Sequence, residues 1–179
     1  SNPMQELVDV RAVSELAHAA GAQVVVDNVF ATCMHQKPLE LGADVVVYST
    51  TKHIDGQGRV LGGAVLGTEE FISGPVKHLM RHAGFGMSAF NAWVLLKGLE
   101  TMGLRVERMS ANALAIAEFL ESHEAVEWVN YSMLPSHPQH ELARAQMSGG
   151  GSVVSFGLST EGVTDGGKQR CFDLQNALQ

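Results

Sequence analysis

The chain has few cysteines, few positive charges, and no hydrophobic run long enough to cross a membrane. Only Cys33 and Cys171 are cysteines among 179 residues, and neither belongs to a C-x-x-C pair. This pattern argues against a disulfide framework and a zinc ribbon. No signal-peptide pattern of basic and then apolar residues follows Ser1. We therefore expect a soluble protein in a reducing, cytoplasmic environment.

The shortage of positive charge narrows the classes of partner. Twelve Lys and Arg stand against nineteen Asp and Glu, which gives a formal net charge of −7. A nucleic acid or an anionic membrane surface would require a basic patch, so we expect neither as a partner. Hydrophobic residues make up 45% of the chain and the mean hydropathy is +0.05, values typical of a globular protein with a substantial core.

The first third of the chain alternates helical and strand patterns, which predicts an α/β domain with a mostly parallel sheet and flanking helices. Apolar residues recur at helical spacing after Asp9, a plausible N-cap, and Gly21 ends that helix. Short β-branched runs then predict buried strands at residues 23–26, 44–48 and 64–66. The carboxyl ends of such strands are where α/β sheets bind ligands.

The remainder of the chain is mostly helical at first and mixed later. Helical spacing of apolar residues predicts helices at residues 69–80, 89–99, 104–121, 140–147 and 168–178. Strands are predicted at residues 126–131 and 152–158. The stretch 104–121 could bridge two units, and the elements after it would form an incomplete α+β unit.

Polar side chains follow the first two predicted strands. Asp27 comes directly after three valines, where a carboxylate needs a cation, hydrogen-bond donors or the role of capping the next turn. The second strand leads into Ser49, Thr51 and Lys52. A lysine at a strand end suits nucleophilic amine chemistry if burial or a nearby charge favours its neutral form. Ser49 and Thr51 could together bind a phosphate, or could simply form a turn.

Two other patterns are weaker. The glycines of residues 56–63 superficially match a nucleotide-binding loop, but they follow Lys52 and no Gly-Lys-Ser/Thr occurs. His78 with His82, and His137 with His140, have spacings that could ligate a metal. Neither pair has a third ligand in the sequence pattern, so we interpret them as surface or packing histidines.

Four segments together resemble the pyridoxal-phosphate enzymes of cysteine and methionine metabolism. They are DNVFAT at residues 27–32, PLELGAD at 38–44, YSTTKH at 48–53 and the Gly62-Gly63 pair, with Asn2-Pro3 upstream in register. The resemblance implies a fold type I transferase. Residues 1–105 would be the later part of the cofactor-binding large domain, and residues 106–179 a linking helix and the start of a small C-terminal domain.

The resemblance also implies roles for individual residues. Lys52 would bind pyridoxal 5'-phosphate covalently and shuttle protons on the substrate. Asp27 would pair with the pyridinium nitrogen, Ser49 and Thr51 would hold the phosphate, and Asn2 would reach the ring hydroxyl oxygen. No metal is implied.

The implied reaction is replacement at the γ-carbon of O-succinylhomoserine by sulfide, giving homocysteine and succinate in methionine biosynthesis. Alternatives are a cystathionine γ-synthase or γ-lyase activity of the same family, or a non-catalytic α/β module. Family members assemble as dimers of dimers with shared sites. We expect the chain to be a piece of such an enzyme, because the family has further segments on both sides.

Overall fold

The computed structural model describes residues 2–178 and begins with an α/β unit. Helix α1 spans Val10–Ala19, and the Asp9 carboxylate caps it by accepting from the Ala12 N–H at 2.9 Å. Gly21, with φ of 72°, ends the helical segment as predicted. Strand β1 (Val25–Asp27), helix α2 (Thr32–His35), a 3₁₀ turn (Pro38–Leu41) and strand β2 (Val45–Ser49) follow.

The first sheet has three strands in the order β1-β2-β3, with β3 at Gly63–Leu66. β1 and β2 are parallel, and Asp27 is paired with Val47. β3 returns antiparallel to β2, with Ser49 opposite Gly63. The expectation of a mostly parallel sheet is therefore only partly met in the part of the chain described. A parallel return usually needs a helical crossover, and residues 50–62 contain no helix.

The predicted helices at 89–99 and 104–121 are one helix in the structure. Helix α5 runs unbroken from Ala89 to Glu121 over 33 residues, capped by Ser88, whose hydroxyl accepts from Asn91 N–H. Gly98 and Gly103 lower helix propensity but do not interrupt it, because α5 packs against neighbouring segments. Within residues 2–178, no helix is long and apolar enough to cross a membrane.

The predicted helix at 69–80 consists of three consecutive pieces. They are α3 (Glu69–Phe71), a wider turn (Ile72–Val76) and α4 (Lys77–Ala83). Pro75 lies inside the wider turn, where a missing N–H and a bulky ring prevent regular α-helical bonding.

The last third forms a second, smaller sheet with helices. β4 (Val126–Asn130) pairs antiparallel with β5 (Ser155–Leu158), α6 spans His140–Gln146, and α7 spans Lys168–Ala177. A buried cluster of Ala113, Ala117, Tyr131 and Leu134 joins this part to α5. The helix crosses residues 105 and 106 without a break. The division into domains at that point stays a prediction.

The N-terminal segment before α1 is bound to the last third of the chain. The carbonyl of Pro3 accepts from the Ser155 hydroxyl at 2.6 Å, and the carbonyl of Met4 accepts from Asn130 Nδ2 at 2.9 Å. The Gln139 amide exchanges two hydrogen bonds with the backbone of Leu7. Residues distant in sequence therefore form one connected structure.

A buried amide fixes the relative position of the ends of β1 and β2. Asn28 is 2% exposed, and its Nδ2 lies 2.9 Å from the Tyr48 hydroxyl and 2.9 Å from the Gln36 carbonyl. Its Oδ1 accepts from Gln36 Nε2 at 3.0 Å, and Nδ2 also lies 3.1 Å from the Thr32 carbonyl. The side chain thus connects the end of β1 to β2 and to the segment between them.

We expect Asn28→Ala to lower the free energy of unfolding by about 2 to 3 kcal/mol, because it leaves the buried Gln36 amide and Tyr48 hydroxyl without their partner. Chemical denaturation measures the loss. Asn112→Ala is the matched control at an exposed position of α5, with an expected change within about 0.5 kcal/mol. Equal losses for the two variants would contradict this role of Asn28.

Candidate active site

Lys52 lies near the start of the loop that connects β2 to β3. We call this loop, residues 50–62, the lysine loop. Its ammonium donates to the Ser49 hydroxyl at 3.0 Å. The structure thus brings together two of the five predicted site residues. The side chain of Lys52 is exposed, so burial, one of the two conditions named for a reactive amine, is not met in this chain.

Thr51 stabilises the lysine loop rather than lying beside Lys52 Nζ. Its hydroxyl oxygen accepts from Gly62 N–H at 3.1 Å and lies 3.4 Å from the Gly62 carbonyl. Thr50 N–H also donates to that carbonyl, at 2.9 Å. A Cβ added at Gly62 would lie 2.6 Å from Thr50 Oγ1 and 2.5 Å from Met87 Cε, so a larger residue there would require these side chains to move.

Asp27 lies at the carboxyl end of β1, on the same edge of the sheet as the end of β2. The register places it beside Val47, two residues before Ser49. Its carboxylate is exposed, and Oδ1 accepts from Val29 N–H at 3.0 Å. Asp27 therefore caps the turn after β1, one of the alternatives that the sequence left open, and its second oxygen remains available to a ligand.

Asn2 is not joined to this group. It is exposed, and within residues 2–178 no hydrogen bond links it with Asp27, Ser49 or Lys52. The segment that follows it is bound to residues 130–155 through Pro3 and Met4. The predicted contact of Asn2 with a cofactor stays a prediction.

Sequence reasoning missed the residues that hold the lysine loop. Asp55 is 1% exposed and accepts from Arg59 Nε at 2.8 Å and from the Arg59 backbone N–H. Arg105 of α5 donates to the carbonyls of His53 and Ile54 at 2.8 and 3.3 Å. Asp55 and Arg59 are four residues apart, a spacing that could have indicated their pairing. No sequence pattern connects Arg105 with residues fifty positions earlier.

His53 connects the loop to the last third of the chain. Its Nε2 lies 2.9 Å from the Ser152 hydroxyl. Burial is the main influence on His53 and lowers its pKa, and the positive charges of Arg105 and His35 act in the same direction, against a backbone contact with Val29. The imidazole is therefore held in its neutral form more firmly than in water.

Opposing influences act on the pKa of Asp55 in its ion pair with Arg59. Desolvation acts to raise the pKa of Asp55, but the hydrogen bonds from the backbone and side chain of Arg59, together with its charge, outweigh it and lower that pKa. Asp55 therefore remains a carboxylate at neutral pH and keeps the far end of the loop in place.

The predicted alternatives to an amine-based site have less support from geometry. In the described part of the chain, no three His, Cys, Asp or Glu side chains lie close enough to hold a metal ion. The rings of His78 and His82 stack with centroids 4.2 Å apart, and His82 Nδ1 lies 2.8 Å from the His78 carbonyl.

Comparison with known proteins assigns the family. The family described as "Cys/Met metabolism PLP-dependent enzyme" matches residues 1–173. The chain belongs to this family of pyridoxal-phosphate-dependent enzymes. The resemblance stated from the four sequence segments is confirmed.

Individual relatives are similar over most or all of the chain. An O-succinylhomoserine sulfhydrylase of Mycobacterium tuberculosis is 63% identical over 179 residues, 100% of this chain and 44% of the relative. One of Pseudomonas aeruginosa is 58% identical over 87% of this chain and 38% of its own length. The crystal structure of a methionine gamma lyase from Micromonospora echinospora covers 88% of this chain and 43% of its own, with a TM-score of 0.86 and 44% identity. The chain thus spans less than half the length of these relatives.

The lowered pKa of His53 predicts a pH-dependent stability. The unfolded state takes up a proton near the usual pKa of about 6.5, before the folded state does, so the free energy of unfolding falls as the pH drops below that value. His53→Gln should reduce this fall between pH 7.5 and 5.5, measured by urea denaturation.

His35 and His137, whose pKa values are also lowered by burial, retain part of the pH dependence in that variant. Asn112→Ala, at an exposed position without a titratable group, is the control and should leave the pH dependence as it is. An unchanged slope in His53→Gln would contradict the prediction.

Proposed function

We propose that the intact enzyme displaces succinate from Cγ of O-succinylhomoserine with sulfide, giving homocysteine and succinate. The observation that carries this proposal is the 63% identity to an O-succinylhomoserine sulfhydrylase across all 179 residues. The match to the lyase structure, at 44% identity, concerns a relative whose name gives a different reaction. The sulfhydrylase is therefore the better guide to substrate.

The residues at the carboxyl edge of the first sheet fit pyridoxal phosphate by their chemistry. They offer an exposed amine, the Ser49 hydroxyl 3.0 Å from it, and a carboxylate on the neighbouring parallel strand. We propose that Lys52 forms the covalent link, that Ser49 and Thr51 bind the phosphate, and that Asp27 pairs with the ring nitrogen. Asn2 remains part of this proposal for the ring hydroxyl.

When bound, the cofactor supplies an electron sink for the carbanions of this reaction. The residues of this chain orient the substrate and transfer protons. We propose that the Lys52 amine would take the proton from Cα of the substrate and then one from Cβ as the Cγ–O bond breaks and succinate leaves. After sulfide has added at Cγ, the same amine would return protons to Cβ and Cα. The Asp27 carboxylate keeps the ring nitrogen protonated through a charge-assisted hydrogen bond. Between these steps, the Ser49 hydroxyl would accept a hydrogen bond from Lys52.

The same site suits a cystathionine γ-synthase or γ-lyase activity, since these differ in the sulfur nucleophile and the pocket. Steady-state assays of the intact enzyme with sulfide and with cysteine separate the possibilities. Faster turnover with sulfide supports the proposal. Faster turnover with cysteine, or elimination without a nucleophile, assigns the enzyme to one of the other activities.

We also propose the larger organisation that family membership suggests. The chain would contribute the later part of a fold type I large domain, residues 1–105, and a linking helix with the start of a C-terminal domain, residues 106–179. The intact enzyme would act in the cytoplasm as a dimer of dimers. A non-catalytic module, the alternative from the sequence, would bind no cofactor.

Lys52→Ala should abolish the visible absorbance that the cofactor acquires when linked to a lysine, together with turnover, because it removes the amine that would form the covalent link. Borohydride reduction followed by peptide mass mapping should place the cofactor on Lys52 in the unaltered enzyme. Lys97→Ala, an exposed lysine paired with Glu100 on α5, is the control and should retain both properties. An adduct on another lysine would overturn the assignment.

Asp27→Asn should reduce turnover by at least about a hundredfold, because an amide does not hold the ring nitrogen in its protonated form. The substitution retains the size of the side chain and an oxygen able to accept from Val29 N–H. Cofactor content by absorbance should therefore change far less than turnover. Near-normal turnover in the loaded variant would contradict the role of Asp27.

A further inference from the structure

One guanidinium group forms hydrogen bonds between the lysine loop and α5, next to the apolar contact of Ile54 and Val60 with that helix. Arg105 donates from Nη1 to the His53 carbonyl at 2.8 Å and from Nη2 to the Ile54 carbonyl at 3.3 Å. The same group donates to the Gly98 carbonyl at 2.8 Å, and Nε donates to the Thr101 hydroxyl at 3.1 Å. One side chain therefore joins the two residues after Lys52 to the helix.

Two glycines make room for this arrangement. A Cβ added at Gly56 would overlap the Arg105 guanidinium, and one added at Gly98 would overlap the Ile54 carbonyl. Gly56 also has φ of 73°, a conformation that L side chains rarely adopt. The backbone of the loop thus approaches α5 more closely than side chains would permit at either position.

The acceptors of Arg105 are unusual for a half-buried cation. Within residues 2–178, no carboxylate forms a salt bridge with Arg105, and its partners are three backbone carbonyls and one hydroxyl. An arginine used only for stability would gain more from a carboxylate. Carbonyl acceptors instead fix the course of the backbone, since the planar fork reaches two consecutive peptide groups at once.

The turn held by Arg105 contains the reactive lysine. Gly56 N–H donates to the Lys52 carbonyl at 2.7 Å, and Asp55 N–H donates to the Thr50 carbonyl at 2.9 Å. These bonds close a turn over residues 52–56 that Arg105 then fixes to α5. A displacement of His53 or Ile54 therefore moves the Cα of Lys52.

We propose that Arg105 is a positioning residue for Lys52. By holding the carbonyls of His53 and Ile54 against α5, it sets the point from which the lysine side chain extends. The attachment of the loop is a property of this chain. The consequence for catalysis rests on the proposed function of Lys52.

The first experiment measures the loop without any cofactor. Hydrogen exchange of the intact, cofactor-free protein compares the unaltered enzyme with Arg105→Met, which retains the apolar stem and removes the fork. We expect exchange of the amides in residues 52–59 to rise by at least about tenfold, with β2 unchanged. Arg108→Met removes an exposed arginine from the same helix and should change neither region.

Two results of this experiment overturn the inference. One is unchanged exchange in residues 52–59 of Arg105→Met. The other is an equal rise in the loop and β2, which would assign Arg105 a general structural role. If Arg105→Met does not fold, Gly98→Ala provides the second variant. It keeps the guanidinium but displaces the Ile54 carbonyl, and the same selective rise is expected.

The second experiment measures the lysine itself. In the cofactor-loaded enzyme, Arg105→Met should shift the pH midpoint of the visible absorbance by at least about half a pH unit and lower kcat more than it changes KM. Arg105→Lys retains the charge and one donor group. Its pH midpoint and kcat should lie between those of Arg105→Met and the unaltered enzyme. An unshifted midpoint with normal kcat would overturn the link between Arg105 and Lys52. Absence of any cofactor on Lys52 in the unaltered enzyme would instead refute the proposed function, and leaves the exchange result as it is.

Discussion

The buried amide of Asn28 is the constraint on which the candidate site depends. Parallel pairing alone aligns β1 with β2 but leaves their carboxyl ends able to separate after Asp27 and Ser49. Asn28 follows Asp27, and Tyr48 precedes Ser49, so the contact between their side chains fixes the two ends. Both side chains are buried and polar. Separating the two strand ends would therefore leave hydrogen-bonding groups unpaired inside the protein. The separation between Asp27 and Ser49 is thus set by the residue next to each of them.

In the lysine loop, several hydrogen bonds hold the backbone, whereas the amine of Lys52 has few contacts. Hydrogen bonds to Gly62 hold its two ends, Asp55 with Arg59 holds its far part, and Arg105 holds the turn between them. Within residues 2–178, the ammonium of Lys52 has one hydrogen bond, to the Ser49 hydroxyl. A residue that must leave one partner and carry protons to another benefits from few contacts at its amine, provided that its Cα stays in place.

The sequence pattern predicted those features that depend on residues close together in the chain. The Asp9 cap, the strand ends at Asp27 and Ser49 and the proximity of Ser49 to Lys52 follow from short stretches of sequence. Three features did not follow. The antiparallel β3 depends on a loop without a helix, the continuous α5 depends on packing that outweighs two glycines, and the contacts of Arg105 and Ser152 with His53 span about fifty and one hundred residues. Tertiary contacts of that range leave no periodicity in the sequence.

The position and the environment of the amine have separate origins. The hydrogen bonds described for the lysine loop all come from this chain, yet the side chain of Lys52 is exposed in it. A cofactor-linked lysine needs a site from which water is excluded, because electrostatic interactions with the reacting atoms are weak in water. The hydrogen bonds that hold the lysine loop account for the position of the Lys52 backbone, whereas the exclusion of water from its amine is a separate requirement.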